Sequence, residues 1–269
     1  MTAATTSSFT GRHPRPGRRW FLAVGLLLLA IIVGVVVWVL VRFVLPGHQN
    51  FSYGTDVIAA RNLRVETSSA AFSLAPSPDG QVHISAQGSY TTTAPTVHPT
   101  TSGDTTTITA SCPPTGINRC SLQVQVLLPA AMAVTADAGD GQLTASDLTG
   151  PLTLTASNGT IQTDRTTGTL SLNTTHGTID VAADRSAHVT AATQNGTVNL
   201  AFAAPPTTVE ATTTNGAVNI AVPPTDAYYI TTHTTNGGIQ TELPSDRYAA
   251  HTITATTSNG AIHIHPANT

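Results

Sequence analysis

Residues 152–164 read Leu-Thr-Leu-Thr-Ala-Ser-Asn-Gly-Thr-Ile-Gln-Thr-Asp. An apolar-alternating strand runs into Asn-Gly, one small residue follows, and an Ile restarts the apolar face. The same phrase returns between Asp140 and Ile264. Its dipeptides are Asp140-Gly141, Asn158-Gly159, His176-Gly177, Asn195-Gly196, Asn215-Gly216, Asn236-Gly237 and Asn259-Gly260. Successive glycines are 18, 18, 19, 20, 21 and 23 residues apart, and the apolar residue two places on is Leu143, Ile161, Ile179, Val198, Val218, Ile239 and Ile262. A fixed phrase at a slowly lengthening period predicts a solenoid, each repeat burying its apolar face on its neighbours. A meander of Asn-Gly hairpins is the competing reading. Against it, the strand after each Asn-Gly is often too short to match the one before.

If the coils stack in parallel, Asn158, Asn195, Asn215, Asn236 and Asn259 fall in register, and their amides can form a hydrogen-bonded ladder along one corner. Gly159, Gly196, Gly216, Gly237 and Gly260 are then expected to supply a positive φ at that corner. The lengthening period is taken up at Pro205-Pro206, Pro223-Pro224 and Pro244-Ser245-Asp246, placed at the opposite turns, where they also discourage stray edge pairing.

Outward from the repeat, residues 56–139 alternate in the same way: Leu63-Arg64-Val65-Glu66-Thr67, Phe72-Ser73-Leu74, Val82-His83-Ile84, Thr107-Ile108-Thr109 and Leu122-Gln123-Val124-Gln125-Val126. Period-two patterning without a helical period predicts strands throughout. Residues 91–105, rich in Thr and Pro, read as an exposed loop that could carry O-linked sugar. Cys112 and Cys120 are the only cysteines. Around the turn-forming Pro113-Pro114-Thr115-Gly116 they are expected to form a disulfide outside the cell, and two cysteines are too few for a structural zinc site.

The N-terminal segment is of another kind. Phe21–Val41 carries no charge, and a helix of that length spans about 30 Å, the thickness of a bilayer core. Trp20 and Arg42 flank it as interfacial residues, and Arg12, Arg15, Arg18 and Arg19 place the N-terminus in the cytoplasm. The organisation expected is a tail at 1–19, a transmembrane anchor at 20–45 in contact with the lipid bilayer, a linker at 46–55 and an extracellular β-repeat domain at 56–269. A cleaved signal is the alternative, since Arg18-Arg19-Trp20-Phe21-Leu22 looks like a twin-arginine motif, although the apolar run is long for one. The expected fold is all-β: a single-stranded parallel β-solenoid preceded by one transmembrane α-helix.

All 11 basic residues are Arg, and those after Pro46 number six against all 14 acids. Nucleic acid needs a basic surface, so it is excluded as a partner. Asp147, Asp164 and Asp184 fall at turns where solvated acids are expected. Asp180 and Asp184 could approach each other as a glycosidase pair would, but no aromatic platform lies nearby. His263-Ile264-His265 sets two imidazoles on one strand face, a solvated pair or two of three metal ligands. No nucleophile triad, phosphate loop or calcium repeat is present, so no catalytic residue, metal or cofactor is expected.

The Arg-rich tail, the apolar run and short strands with recurring Asn-Gly-x-[Ile/Val] resemble the bacterial putative-adhesin β-strand-repeat family, a domain of unknown function, over about residues 55–264. The composition, without Lys and rich in Thr and Ala, is similar to that of proteins from actinobacteria. The resemblance implies a surface-exposed β-solenoid and brings no catalytic or ligand residues with it. The function expected is a non-catalytic, membrane-anchored module for adhesion or envelope interaction, with a cell-wall glycan or surface protein as partner. The alternatives are an envelope-stress or regulatory accessory protein whose ectodomain binds a partner, and a carbohydrate-active β-helix enzyme.

Overall fold

The computed structural model describes residues 18–39, 49–113 and 119–267. The chain divides into two units, residues 1–47 and 48–269. The first holds one helix, α1 (Arg18–Val39). Its side chains are described from Val24 onward, and all are exposed. Among the described residues no helix is long and apolar enough to cross a membrane.

The second unit is built of strands. Its first part holds β1 (Gln49–Val57), β2 (Asn62–Thr67), β3 (Ala71–Pro76), β4 (Val82–Tyr90), β5 (Thr96–Ser102), β6 (Thr105–Ser111) and β7 (Ser121–Leu128). The repeat follows as strand pairs, one pair per phrase: β8 (Ala133–Asp140) with β9 (Leu143–Ser146), β10 (Leu152–Asn158) with β11 (Ile161–Asp164), β12 (Leu170–His176) with β13 (Ile179–Asp184), and β14 (His188–Asn195) with β15 (Val198–Phe202). Then come β16 (Thr208–Asn215) with β17 (Val218–Val222), β18 (Tyr228–Asn236) with β19 (Ile239–Thr241), and β20 (His251–Asn259) with β21 (Ile262–Pro266). The first strand of each pair joins a 10-stranded sheet B, and the second joins an 11-stranded sheet A.

The pairs stack in parallel, residue on equivalent residue. Val134, Leu152, Leu170, Val189, Val209 and Ile253 are register partners across sheet B. Leu143, Ile161, Ile179, Val198, Val218 and Ile262 are partners across sheet A. All twelve side chains are buried, and each is worth about 1.5–3 kcal/mol in apolar transfer. The two columns face each other between the sheets, so no single coil could bury its own. The solenoid is therefore two open sheets joined at corners, and the hairpin meander is excluded for the repeat.

Two expectations are corrected, and the order of the last strands is a further finding. The linker at 46–55 is strand from Gln49 on: β1 pairs antiparallel with β4, because Phe51, Tyr53 and Val57 alternate inward and pack on the core. The loop at 91–105 contains β5, antiparallel to β6, with Val97 buried beneath it. The strand order is not the chain order at the far end: sheet B ends β16-β20-β18 and sheet A ends β17-β21-β19. The last pair is inserted behind the one before it. Ile253, Ala255, Ile262 and Ile264 make it the more apolar pair and it takes the covered place. The pair with Thr232 and Thr234 on its inner face is left at the end.

Candidate functional site

The corner turns first. Asn158 Nδ2 donates to Asp140 Oδ1 at 2.7 Å, and on the other side of His176 the ladder resumes, Asn215 to Asn195 at 2.8 Å, Asn259 to Asn215 at 2.9 Å and Asn236 to Asn259 at 2.9 Å. Its order follows the inserted pair, so Asn236 is the terminal rung. The glycines are required by closeness at each of these corners, and Gly216 and Gly260 also have the expected positive φ, 156°. A Cβ on Gly159 would collide with the carbonyl oxygen of Gly141, and one on Gly196 with that of Gly177. A second ladder, unforeseen in the sequence, uses the Thr two places before Asn195, Asn215 and Asn259. Thr193, Thr213 and Thr257 donate from Oγ1 to the carbonyls of Gly177, Gly196 and Gly216 at 3.3, 3.1 and 3.1 Å. The signal was present as Thr-x-Asn-Gly and hidden by the abundance of Thr. These corner residues are occupied with one another and hold the coils together.

The acids are placed apart. Asp180 faces outward on sheet A and accepts from Asn199 Nδ2 at 2.6 Å. Asp184 is 0% exposed and accepts from Thr166 Oγ1 at 2.7 Å and Ser186 Oγ at 2.9 Å. The register slips between Val181 and Asp184, with Ala183 at φ 49°, and this turns Asp184 inward. It fills the corner position that Thr166 and Leu148 fill one and two coils earlier. The expectation of a solvated acid there is overturned, and with it the approach to Asp180. Burial pushes the Asp184 carboxyl up, against the opposing pull of its hydroxyl donors. Asp147 and Asp164 are at the surface as expected. Arg165 holds Asp147 in a two-pronged contact at 2.8 and 2.9 Å and also meets Asp164. The hydrogen bond from Arg165 keeps the Asp147 carboxyl below the usual range.

His263 and His265 stack with ring centres 4.7 Å apart, and His263 Nε2 meets Glu242 at 3.0 Å. Among the described residues no group of three His, Cys, Asp or Glu side chains could hold a metal ion. Cys112 and Cys120 are disulfide-bonded, Cα atoms 5.7 Å apart. A site that sequence reasoning missed joins β1 to β4: His83 Nδ1 meets Asp56 at 2.7 Å and Nε2 meets Asp79 at 2.9 Å. The hydrogen bond to Asp56 and then that to Asp79 raise the His83 pKa above its ordinary 6.5. It acts as a clasp between the two strands.

A concave surface with chemistry to offer lies on the outer face of sheet A, where antiparallel β4 and β7 meet β3 and β9. It is a shallow groove of about 410 Å³ with polar walls of Ser73, Ser85, Gln87, Gln123, Gln125, Gln142 and Thr144. Strand pairing builds it in rows. Ser85 is opposite Gln125, Gln125 beside Ser73, Ser73 beside Thr144, and Gln87 is opposite Gln123. Phe72 and Val124 point the other way into the core and fix these strands. No charged residue lines the groove. Gln142 Nε2 donates to Gln162 Oε1 at 2.6 Å, continuing the polar row toward Asp180, Asn199 and Asn219. Amides and hydroxyls each donate and accept, so the wall suits neutral, hydroxyl-rich ligands. The outward alternation of Gln123 and Gln125 was legible in sequence. Its meeting with Ser85 and Gln87 from an antiparallel strand was not.

The sequence profile of the Toastrack DUF4097 family matches residues 59–265. No curated protein matches the chain. Similar solved structures include one described as a putative cell adhesion protein from Clostridium sporogenes, 10% identical, TM-score 0.39, covering 81% of this chain and 100% of that one. A second, described as a putative adhesin from Parabacteroides distasonis, is 12% identical with TM-score 0.47, covering 80% and 97%. A third, from the same species and described as a putative lipid binding protein, is 10% identical with TM-score 0.46, covering 82% and 97%.

Proposed function

The chain belongs to the Toastrack DUF4097 family, and on that premise we propose that it is a non-catalytic surface-interaction module that binds an uncharged, hydroxyl-rich polymer of the cell envelope. The observation that carries this reading is the sheet A groove, whose polar wall is wholly amide and hydroxyl. Glycan hydroxyls exchange water for such groups at little desolvation cost, whereas burying a charge would be expensive. The carboxylates that hydrolysis would need are held elsewhere, Asp184 inside the corner and Asp180 against Asn199. We further propose that residues 20–45 anchor the chain in a membrane with residues 46–269 outside. What supports this is the uncharged run Phe21–Val41 and the four arginines before Trp20.

Titration of the full chain with purified neutral cell-wall polysaccharide tests the groove. Saturable binding that falls at least tenfold in Gln87→Leu/Gln125→Leu, with the thermal transition kept, supports it. Equal binding by the variant rejects the groove, and release of reducing ends from the polymer rejects the non-catalytic reading. Carbonate extraction of membranes tests the anchor: the chain is expected in the pellet, and its release to the supernatant defeats the proposal.

A further inference from the structure

The solenoid stops at the pair β18–β19 with its ladder unfinished. Within the repeat, inward-facing residues direct their N–H groups to the following coil: Val134 to Pro151, Leu152 to Thr169, Val198 to Ala217 and Ile262 to Gly238. On β18 the inward residues are Tyr228, Ile230, Thr232 and Thr234, and among the described residues no further coil receives them. The returning loop receives the first two. Ser245 bridges to Tyr228, Asp246 N–H donates to the Tyr228 carbonyl at 2.9 Å, and the Ile230 N–H donates to Ser245 Oγ at 3.0 Å. By the period of two, the N–H and C=O groups of Thr232 and Thr234 point off the same edge. Among the described residues β18 has only β20 and that short bridge as strand neighbours.

This open stretch reads Thr231-Thr232-His233-Thr234-Thr235, a palindrome about His233. We propose that a second copy of this chain docks here, β18 pairing antiparallel with β18 of its partner about a two-fold axis at His233. Thr232 of each copy then lies opposite Thr234 of the other. These two inward residues carry the unused backbone groups, and a hydrogen-bonded antiparallel pair needs both groups on each residue. Four N–H···O=C bonds close on themselves, which is the isologous contact of a symmetric dimer. Thr231 meets Thr235, and Thr–Thr pairs across strands are favourable. The two His233 residues sit on the axis as a non-hydrogen-bonded pair. The corner at Asn236-Gly237 turns each strand out of sheet B before it reaches the partner's Ser245.

Two exposed apolar side chains at this end support the same occupant. Ile239 is 47% exposed and Tyr248 84%. The axis at His233 brings the loop that carries Tyr248 toward the corner that carries Ile239 on the other copy. Beyond the loop that covers Tyr228 and Ile230 the edge lacks the other usual guards: β18 has no Pro, no bulge and no Lys. Nine residues give an end face about 30 Å long, and two sheets about 10 Å apart make it roughly 20 Å wide. Two copies would then bury about 1,200 Å², the lower bound of a specific interface, so the dimer is expected to be reversible.

The full chain in mild detergent should show a concentration-dependent monomer–dimer equilibrium in sedimentation velocity. His233→Cys should cross-link to a covalent dimer on mild oxidation, because paired Cα atoms in a non-hydrogen-bonded position are about 4.5 Å apart and both native cysteines are already bonded to each other. Thr231→Cys should not, since its counterpart is residue 235. His233→Glu opposes two carboxylates on the axis and should weaken association at least tenfold, while its circular dichroism stays that of the parent. A chain that is monomeric at every concentration overturns the proposal. So does a dimer that His233→Cys fails to link, or one that His233→Glu leaves intact.

Discussion

The two ends of the solenoid are finished differently. At the N-terminal end the parallel stack stops at β6 and β7, and antiparallel strands follow: β5 on sheet B, then β4 and β1 on sheet A. Antiparallel edges can be guarded one strand at a time. Pro99 stands in β5, the His83 clasp ties β4 to Asp56 of β1, and the Cys112–Cys120 disulfide lies just after β6. At the C-terminal end the stack stops on a parallel pair whose edge is covered over Tyr228–Ile230 alone. One end is capped by tertiary devices, and the other is capped by half a loop. Ladder edges left open are sites of association, which is why the proposed self-association is placed at the far end and not at the near one.

The largest expected effect lies between the ends, where neither cap operates. Gly196→Ala puts a methyl into the carbonyl of Gly177, backbone against backbone, with no flexible side chain to yield. A loss of about 3 kcal/mol is expected, the upper range for overpacking. Gly238→Ala, in the end pair, meets no atom within 4 Å, and its transition should stay within about 0.5 kcal/mol of the parent. Urea melts of the two variants measure the contrast. Equal losses would mean that the end coil is as tightly stacked as the interior.

Cys112→Ser with Cys120→Ser opens the staple at the N-terminal end. The bonded residues are 8 apart, and a loop that short contributes about 2.5 kcal/mol by chain entropy. The loss should appear as faster hydrogen exchange in β6 and β7, with β18 and β20 unchanged. A uniform change along the stack would show that the cap supports the whole solenoid. Thr213→Val keeps the shape of a buried side chain and removes its bond to the Gly196 carbonyl. About 1 kcal/mol is expected, the net worth of a typical hydrogen bond, again by urea melt.

What the sequence made legible follows the same division. Asn-Gly and its following Ile or Val could be read because each coil repeats its neighbour's environment, so one residue's role is stated seven times. The N-terminal cap could not be read so well. β1 and β5 each occur once, and Gly54 and Pro99 within them look like loop signals in isolation. The groove depends on that cap: Gln87 reaches Gln123 through antiparallel pairing that no periodicity encodes. Asp184 was misplaced for a related reason: a turn position alone reads as solvated, and one left-handed residue, Ala183, turns this one inward. The inserted last pair turned on relative apolarity between two coils, a comparison that a shared motif conceals.

The smallest expected effect is a pH dependence confined to the capped end. His83 gains two carboxylate partners on folding, so its folded pKa lies above the ordinary 6.5. Its stabilising contribution is then fully present below about 6.5 and is lost as the pH rises through the folded value. Asp79 works in the opposite sense. The Gln81 backbone N–H first, and His83 next, lower its pKa below 3.8, so its contribution is present above 3.8 and lost as the pH falls through the folded value. The clasp is therefore strongest between those two ordinary values and loosens toward alkaline pH. All three side chains are in contact with solvent, and screening keeps the effect small. Hydrogen exchange of β1 and β4 should quicken from about pH 6 to about pH 8 beyond the intrinsic base-catalysed rate, and His83→Gln should remove that excess. β18, with no such clasp on its edge, should show none. An excess of equal size at both ends, or one that survives in His83→Gln, would mean that the clasp does not close the cap.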